Sequence, residues 1–400
     1  MTGETPAGNP RRAPDAGLPA ETSGSAPHQS LRLSGERLSL IPERILVTGG
    51  TGFVGSHVTR RLRAGGPDAP VLRLFTHRRP TPGEDADARA VETVTGDLTD
   101  PRSLRGICDG VTTIVHMAVR IGGTEEQCRA VNTEGTRALL AEAERAGVRR
   151  FVHLGTAAVY RDEPHRGAAE GELVEEPSSS TSVTRLAAER SVLAAGGTVL
   201  RPHLVYGRGD TWVVPAIADL MGRLPHWVDG GRARISMISA DALAGAVADL
   251  ARLPELPAGQ VLHASHPEPV TCRELITAVA RALDVPPPEG EVTLDEAPAL
   301  LGGADDPLVR RRLSLLTVDH WYDSSRLWKL VGAEPGPRPA ETFERYASWY
   351  RDQRAARTGV VTGAEGTSTG MATGGAAAGP DAGATATVPV TVASNTFTSP

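Results

Sequence analysis

Eight residues near the start of the folded part, Thr48-Gly49-Gly50-Thr51-Gly52-Phe53-Val54-Gly55, carry the features of an anion cradle. Ile45, Leu46 and Val47 precede them as a short apolar run that suits a buried parallel strand. A helix is expected to follow, from about Phe53 to Ala64. Glycines at such a junction let the backbone approach a pyrophosphate, and the helix N-terminus offers it unpaired N–H groups. The stretch reads as a dinucleotide site, against the plainer use of glycine for tight packing alone. About 20 positions past the glycines, a carboxylate would meet the ribose 2′-hydroxyl of NAD. This chain has Thr76-His77-Arg78-Arg79 there instead. Arg78 first, and Arg79 second, suit the 2′-phosphate of NADP(H), with NAD(H) as the second choice. A solvated basic loop is the alternative reading of those arginines.

These groups need a frame that gathers strand ends. Val71–Phe75, Val91–Thr95, Thr112–Met117, Phe151–Leu154, Thr198–Arg201 and Val261–Ala264 read as further strands. A long amphipathic helix, about Gln127–Ala146, ends on Gly147 as a C-cap. The alternation predicts an α/β fold: a Rossmann-type doubly wound parallel sheet with a smaller C-terminal substrate lobe. Ligands of such sheets bind at the carboxyl ends of the strands. Asp97, His116-Met117-Ala118 and Thr156 therefore face the crevice. Asp97 can reach an adenine edge there, whereas Asp100 before Pro101 reads as a helix cap. Beyond residue 202, helices are expected at Trp212–Met221, Asp241–Leu250, Thr271–Ala282 and about Ala340–Arg354, with Pro286–Gly303 a loop-like cover. Trp212, Trp227 and Met237 are candidates for the wall of a flat ligand, although core or lid packing is the commoner use of such residues.

Of the 400 residues, 1–40 and 356–400 read as disordered tails, rich in Pro, Gly, Ser, Ala and Thr. The domain between them, 41–355, divides into a cofactor part mainly over 43–200 and a substrate lobe mainly over 202–355. Net charge is −6, which gives no sign of a nucleic-acid surface. No run of 18 apolar residues suggests a membrane span, and no signal peptide is evident. Cys108, Cys128 and Cys272 lack metal spacing, so the chain reads as a reduced, cytoplasmic protein without metal. The helices show no clear seam, and either a monomer or a homodimer is expected. Among 42 basic residues only Lys329 is a lysine, so the chain is biased toward arginine throughout.

The ordered set TGGTGFVG, GDLTD, HMA, VNTEGT, GTAAVY and RP…VYGRGD resembles the extended short-chain dehydrogenase/reductases of the sugar-nucleotide epimerase/dehydratase type. Ser239–Leu243 and Tyr322-Asp323-Ser324-Ser325-Arg326 extend the resemblance to roughly residues 43–355. It implies that Gly49, Gly52 and Gly55 line the pyrophosphate, with Phe53 and Val54 giving backbone N–H groups and Thr51 among the cofactor-binding residues. It further implies that Asp97 and Leu98 hold adenine, Ala118 borders the ribose, Asn132 supports the active-site strand, and Pro202–Val205 runs along the nicotinamide.

One departure stands out. The family sets a Ser or Thr after the fifth strand, which Thr156 satisfies, and a Tyr-x-x-x-Lys pair on a following helix. Here Thr181 stands in the tyrosine place and Arg185 in the lysine place, and no tyrosine lies between Tyr160 and Tyr206. Arginine for lysine fits the chain-wide bias; threonine for tyrosine does not. Arg185 keeps a fixed charge and donors to a ribose, but an aliphatic hydroxyl is a far weaker acid than a phenol. Hydride transfer needs only near-attack geometry and donors on the developing oxyanion, for which Thr156, Thr181 and Arg185 are the candidates. The proton would come from water, Tyr160, His203 or the substrate itself, although His203 reads first as a structural histidine. The departure resembles the atypical family reductases that act on angucyclinone ketones in antibiotic biosynthesis. These residues point to an NADPH-dependent ketoreductase of a small-molecule ketone. A sugar-nucleotide epimerase or dehydratase, and a non-catalytic NAD(P)-binding sensor, are the alternatives.

Overall fold

The computed structural model describes residues 43–64, 69–77, 91–302 and 307–358. Arg78, Arg79, the 1–40 tail and the second tail beyond Thr358 lie outside the described residues.

Seven strands form the main sheet: β1 Arg44–Thr48, β2 Val71–Thr76, β3 Val91–Thr95, β4 Thr113–His116, β5 Arg150–Leu154, β6 Thr198–Arg201 and β7 Val261–His263. Their order is β7-β6-β5-β4-β1-β2-β3, and every pairing is parallel. Each strand meets the sequence expectation within a residue or two. The run Ile45-Leu46-Val47 is fully buried because helices cover both faces. Ile45 and Val47 face one core cluster with Val58, Leu62 and Leu243, while Leu46 faces the other with Leu104, Ile114 and Leu139. The chain reverses direction across the sheet between β1 and β4, so a crevice opens at their carboxyl ends.

The smaller lobe is built mainly after β6, with one strand, His165–Ala168, contributed from between β5 and β6. Four short strands lie in the order Val270–Thr271, Arg234–Ile235, His320–Tyr322, His165–Ala168, and Leu204–Tyr206 pairs in parallel with Met237–Ser239. Ser239 caps Ala240–Arg252 through the N–H of Ala242, and Thr271 and Glu274 close a capping box on Cys272–Leu283. Gly147 takes the left-handed C-cap conformation (φ 70°).

Three expectations change. The long helix before Gly147 is helical over Glu125–Ala146, but Arg129–Glu134 is a π segment. Pro286–Gly303 is no plain loop, because Glu291–Val292 pairs with Trp227–Val228 and Ala297–Leu300 forms a helical turn. The last helix is divided: Pro339–Thr342 and a 3-10 turn, Phe343–Tyr346, precede Ala347–Thr358, where Phe343 and Tyr346 turn into the core. That helix also runs into the stretch 356–358 expected as tail.

Candidate active site

A cavity of about 1000 Å³ runs along the carboxyl ends of the main sheet. At its centre stands the glycine turn. Gly49 has φ 69°, and a Cβ there would meet the backbone N of Ala118 at 2.6 Å. At Gly55 a Cβ would lie 1.9 Å from the carbonyl oxygen of Gly49. The protein's own packing thus requires both glycines. Gly52 differs: it is exposed, its φ is −77°, and a Cβ would meet only Gly49 O, at 3.2 Å. It is also the N-cap of Phe53–Arg63, with no side chain bonded to the first N–H groups. A bare, open helix N-terminus facing a cavity is the arrangement a pyrophosphate fits. The residues present therefore suit a dinucleotide.

One end of the cavity, at β2 and β3, is lined by Thr76, His77, Asp97 and Leu98. Asp97 accepts from the N–H and hydroxyl of Thr99, both at 2.8 Å, and lies 3.5 Å from His77 Nδ1. Those bonds hold its carboxyl below the usual carboxylate range. Asp100 caps Pro101–Leu104 as expected.

Beside the turn, Thr51, Phe53, Val54 and Ala118 line the wall. A buried chain of hydrogen bonds fixes the 117–118 segment. Thr136 donates to Asn132 O at 2.6 Å, so it accepts from His116 Nε2 at 2.9 Å. His116 Nδ1 then accepts from Thr48 at 2.6 Å, and Thr48 Oγ1 in turn accepts from the N–H groups of Met117 and Ala118. Burial depresses His116 to about 4, in keeping with a neutral ring. His116 is turned from the cavity, unlike Met117 and Ala118. Asn132, inside the π segment, accepts from Arg120 N at 2.8 Å and donates to Arg120 O and Thr184 Oγ1, both at 3.0 Å. It thereby holds the wall residue Arg120.

The other end, at β5 and β6, gathers Thr156, Arg185, Pro202 and His203. Ala157 N donates to Pro202 O at 2.9 Å, which binds the two strand ends together. Thr156 Oγ1 accepts from Ala158 N at 3.2 Å and keeps its proton to give. Arg185 reaches from Ser180–Ala194 and donates to Gly155 O at 2.6 Å and Leu154 O at 3.3 Å. Burial lowers its pKa, opposed by Glu189, but a guanidinium stays charged. Beneath it Glu189, fully buried, accepts from Thr156 N and from Arg201. A Cβ on Gly155 would reach Glu189 Oε1 at 2.2 Å, so glycine is required there too.

Thr181 does not join this end. Its hydroxyl accepts from Gly122 N at 3.2 Å, lies 3.8 Å from Cys128 Sγ, and lines no part of the cavity. The expected third oxyanion donor is a loop anchor instead. Tyr160, the expected alternative proton source, is likewise turned away from the cavity. His263 Nδ1 meets the carbonyl of Asp323, so its Nε2 accepts from the Tyr160 hydroxyl at 2.6 Å, away from the cavity. Burial raises the pKa of that phenol. All five tyrosines are buried and hydrogen-bonded: Tyr160 to His263, Tyr206 to Thr342, Tyr322 to His165, Tyr346 to Asp241, and Tyr350 to Asp210. None lines the cavity, and Lys329 does not either.

Sequence reasoning missed Asp210, which accepts from the N–H groups of Trp212, Val213 and Val214 at the cavity edge. Its place before a predicted helix was the available signal. Of the proposed aromatic wall, Trp212 lines the cavity and is 44% exposed, whereas Trp227 and Met237 are buried in the lobe core. Among the described residues, no group of three His, Cys, Asp or Glu side chains is placed to hold a metal, and no helix is long and apolar enough to cross a membrane.

The NAD dependent epimerase/dehydratase family matches residues 45–252, and the chain belongs to it as an NAD(P)-dependent oxidoreductase. Among its relatives is the 2-alkyl-3-oxoalkanoate reductase of Stenotrophomonas maltophilia, 29% identical over 305 residues, covering 70% of this chain and 91% of that protein. Another is the 4-hydroxy-2-methyl-3-oxo-4-farnesyl-3,4-dihydroquinoline-1-oxide ketoreductase of Stigmatella aurantiaca, 30% identical over 199 residues, 47% of this chain and 58% of the relative. The solved structure of DesIV, a dTDP-glucose 4,6-dehydratase from Streptomyces venezuelae with NAD bound, superposes with a TM-score of 0.62 at 23% identity, over 78% of this chain and 98% of that one. At that identity the superposition speaks for the fold alone.

Proposed function

We propose that this chain is an NADPH-dependent ketoreductase of an aromatic polyketide ketone, angucyclinone-like, that works without a tyrosine–lysine relay. The observation that carries the reading is the lining at β5 and β6: donors are present, and neither a phenol nor a lysine is. The reductase names of two relatives support the reaction class. Val119, Ile121 and Trp212, 38–44% exposed, give the cavity an apolar mouth that suits a flat, apolar substrate. The absence of Asp or Glu directly after β2, with His77 at the cavity and Arg78 and Arg79 next in sequence, supports NADP(H) over NAD(H).

When bound, a reduced nicotinamide supplies the hydride. Gly49, Gly52 and Gly55 with the N–H groups of Phe53 and Val54 would hold its pyrophosphate, Ala118 the ribose, and Arg185 and Pro202 the nicotinamide end. Thr156 gives a hydroxyl donor to the carbonyl oxygen, and the Arg185 charge lies beside it. A phenol next to the ketone in the substrate hydrogen-bonds the same oxygen and passes it a proton as the carbon–hydrogen bond forms. The phenolate left behind takes a proton from water. An epimerase or dehydratase must first remove a hydroxyl proton, for which Thr181 and Arg185 supply no base.

The test is purified protein with NADPH and a peri-hydroxy quinone ketone. Loss of the reduced-nicotinamide absorbance, with the carbinol as product, is the expected result. NADPH binding with no turnover of any such ketone would contradict it and favour a sensor.

A further inference from the structure

Besides Thr156, His203 is a proton-bearing side chain at the β5–β6 end of the cavity that no other described residue engages. The other lining residues with titratable protons are engaged or lie elsewhere: His77 and Asp97 sit at the β2–β3 end, and Asp210 caps the helix that begins at Val213. Arg185 already donates to two carbonyls. Among the described residues, neither ring nitrogen of His203 has a hydrogen-bond partner; Nε2 is buried and closed to the cavity, which leaves Nδ1 as the nitrogen open to it.

The ring is nevertheless held firmly. It stacks on His320 with centroids 5.6 Å apart and 26° between planes, and meets Tyr322 edge-on at 5.6 Å. His320 is anchored through Nδ1 to Val318 O at 3.0 Å, and Tyr322 through its hydroxyl to His165. The backbone before His203 is tied to Ala157, next to Thr156.

Resting on the ketoreductase reading, we propose that the imidazole of His203 is a second oxyanion donor, giving its Nδ1–H to the substrate carbonyl oxygen beside the Thr156 hydroxyl. The ring keeps its proton throughout. The hydride forms the new carbon–hydrogen bond, the carbonyl π pair moves to oxygen, and the proton oxygen gains comes from the substrate phenol. Burial, with His320 and His165 nearby, holds His203 well below the ordinary histidine range, so a neutral ring does this work. The residue is missing from the sequence motif because it acts from β6 and not from the tyrosine helix.

The test compares His203→Ala, His203→Asn and wild type by steady-state reduction, NADPH affinity and infrared difference spectra of a carbonyl-labelled ketone bound with NADP+. Expected for His203→Ala is a kcat about 100-fold lower, as for other single oxyanion-hole donors. NADPH affinity should fall far less than kcat does, since His203 lies at the β5–β6 end of the cavity and not at the glycine turn. The carbonyl stretch should move up in His203→Ala and return part way in His203→Asn, whose amide still donates and whose size protects folding. A kcat within threefold of wild type, or an unmoved carbonyl stretch, overturns the assignment while leaving the reductase reading intact. Wild-type protein that binds NADPH but reduces no ketone overturns both.

Discussion

Gly52 and Gly55 look alike in the sequence and do different things. Gly55 has no room for a side chain, because Gly49 O would lie 1.9 Å from a Cβ. Gly55→Ala should therefore destabilise by about 1–3 kcal/mol through overpacking, read as a fall in thermal midpoint. Gly52→Ala meets only Gly49 O, at a tight 3.2 Å that a small shift relieves, so its stability should stay within roughly 1 kcal/mol of wild type. Its NADPH affinity should fall about tenfold or more, because the added methyl intrudes where a phosphate must approach the helix end. Equilibrium binding and melting on the same two variants separate the two roles. Thr181 gives a third contrast. Thr181→Ala loses the bond to Gly122 and about 1 kcal/mol of stability. Its kcat should remain within threefold of wild type, whereas Thr156→Val should lose at least tenfold.

The π segment Arg129–Glu134 has a local consequence. It carries Asn132, whose amide joins both polar atoms of the Arg120 peptide to Thr184 on the neighbouring helix. Asn132→Ala breaks these part-buried hydrogen bonds, at about 1 kcal/mol. It should also slow turnover by roughly tenfold through displacement of the cavity wall, with a smaller effect on NADPH affinity. Sequence reading found the sheet because each strand announces itself locally: apolar runs such as Ile45–Val47 and capping residues such as Gly147 and Ser239 need no distant partner. The glycine turn and Thr156 were legible for the same reason, since strand topology alone carries them to the crevice. Thr181 and Tyr160 were not. Their hydroxyls are claimed by Gly122, 59 positions away, and by His263, 103 positions away. The Thr48–His116–Thr136 chain was equally hidden, because β1, β4 and Gly135–Ala146 meet only in three dimensions. No local pattern marks the π turn or the division of the last helix.

Contacts between the cofactor part and the lobe include a cluster away from the cavity. His57 of the first helix meets Asp241 Oδ1 at 2.6 Å and Arg208 O at 2.7 Å, and Tyr346 donates to Asp241 Oδ2 at 2.8 Å. The hydrogen bond from His57 leads a set of contacts that hold Asp241 at about 2, against 3.8 when unpaired. A depressed carboxyl stabilises the fold above the unfolded value and loses that contribution as pH falls toward about 2. Asp241 is more than half exposed, so screening reduces the contribution to about 1 kcal/mol. Asp241→Asn should melt lower than wild type at neutral pH, and the gap should narrow between pH 4 and pH 2. A constant gap would contradict the assignment.

The central claim is that this cavity reduces a ketone whose own neighbouring phenol serves where the family uses a tyrosine. Its most direct test is the single-turnover rate of hydride transfer from NADPH to a peri-hydroxy aromatic ketone and to the same ketone with that hydroxyl methylated. The account predicts rapid transfer to the first and a rate at least about 100-fold lower for the second, the loss of one preorganised donor. Equal rates for the two, or no transfer to either, would contradict it.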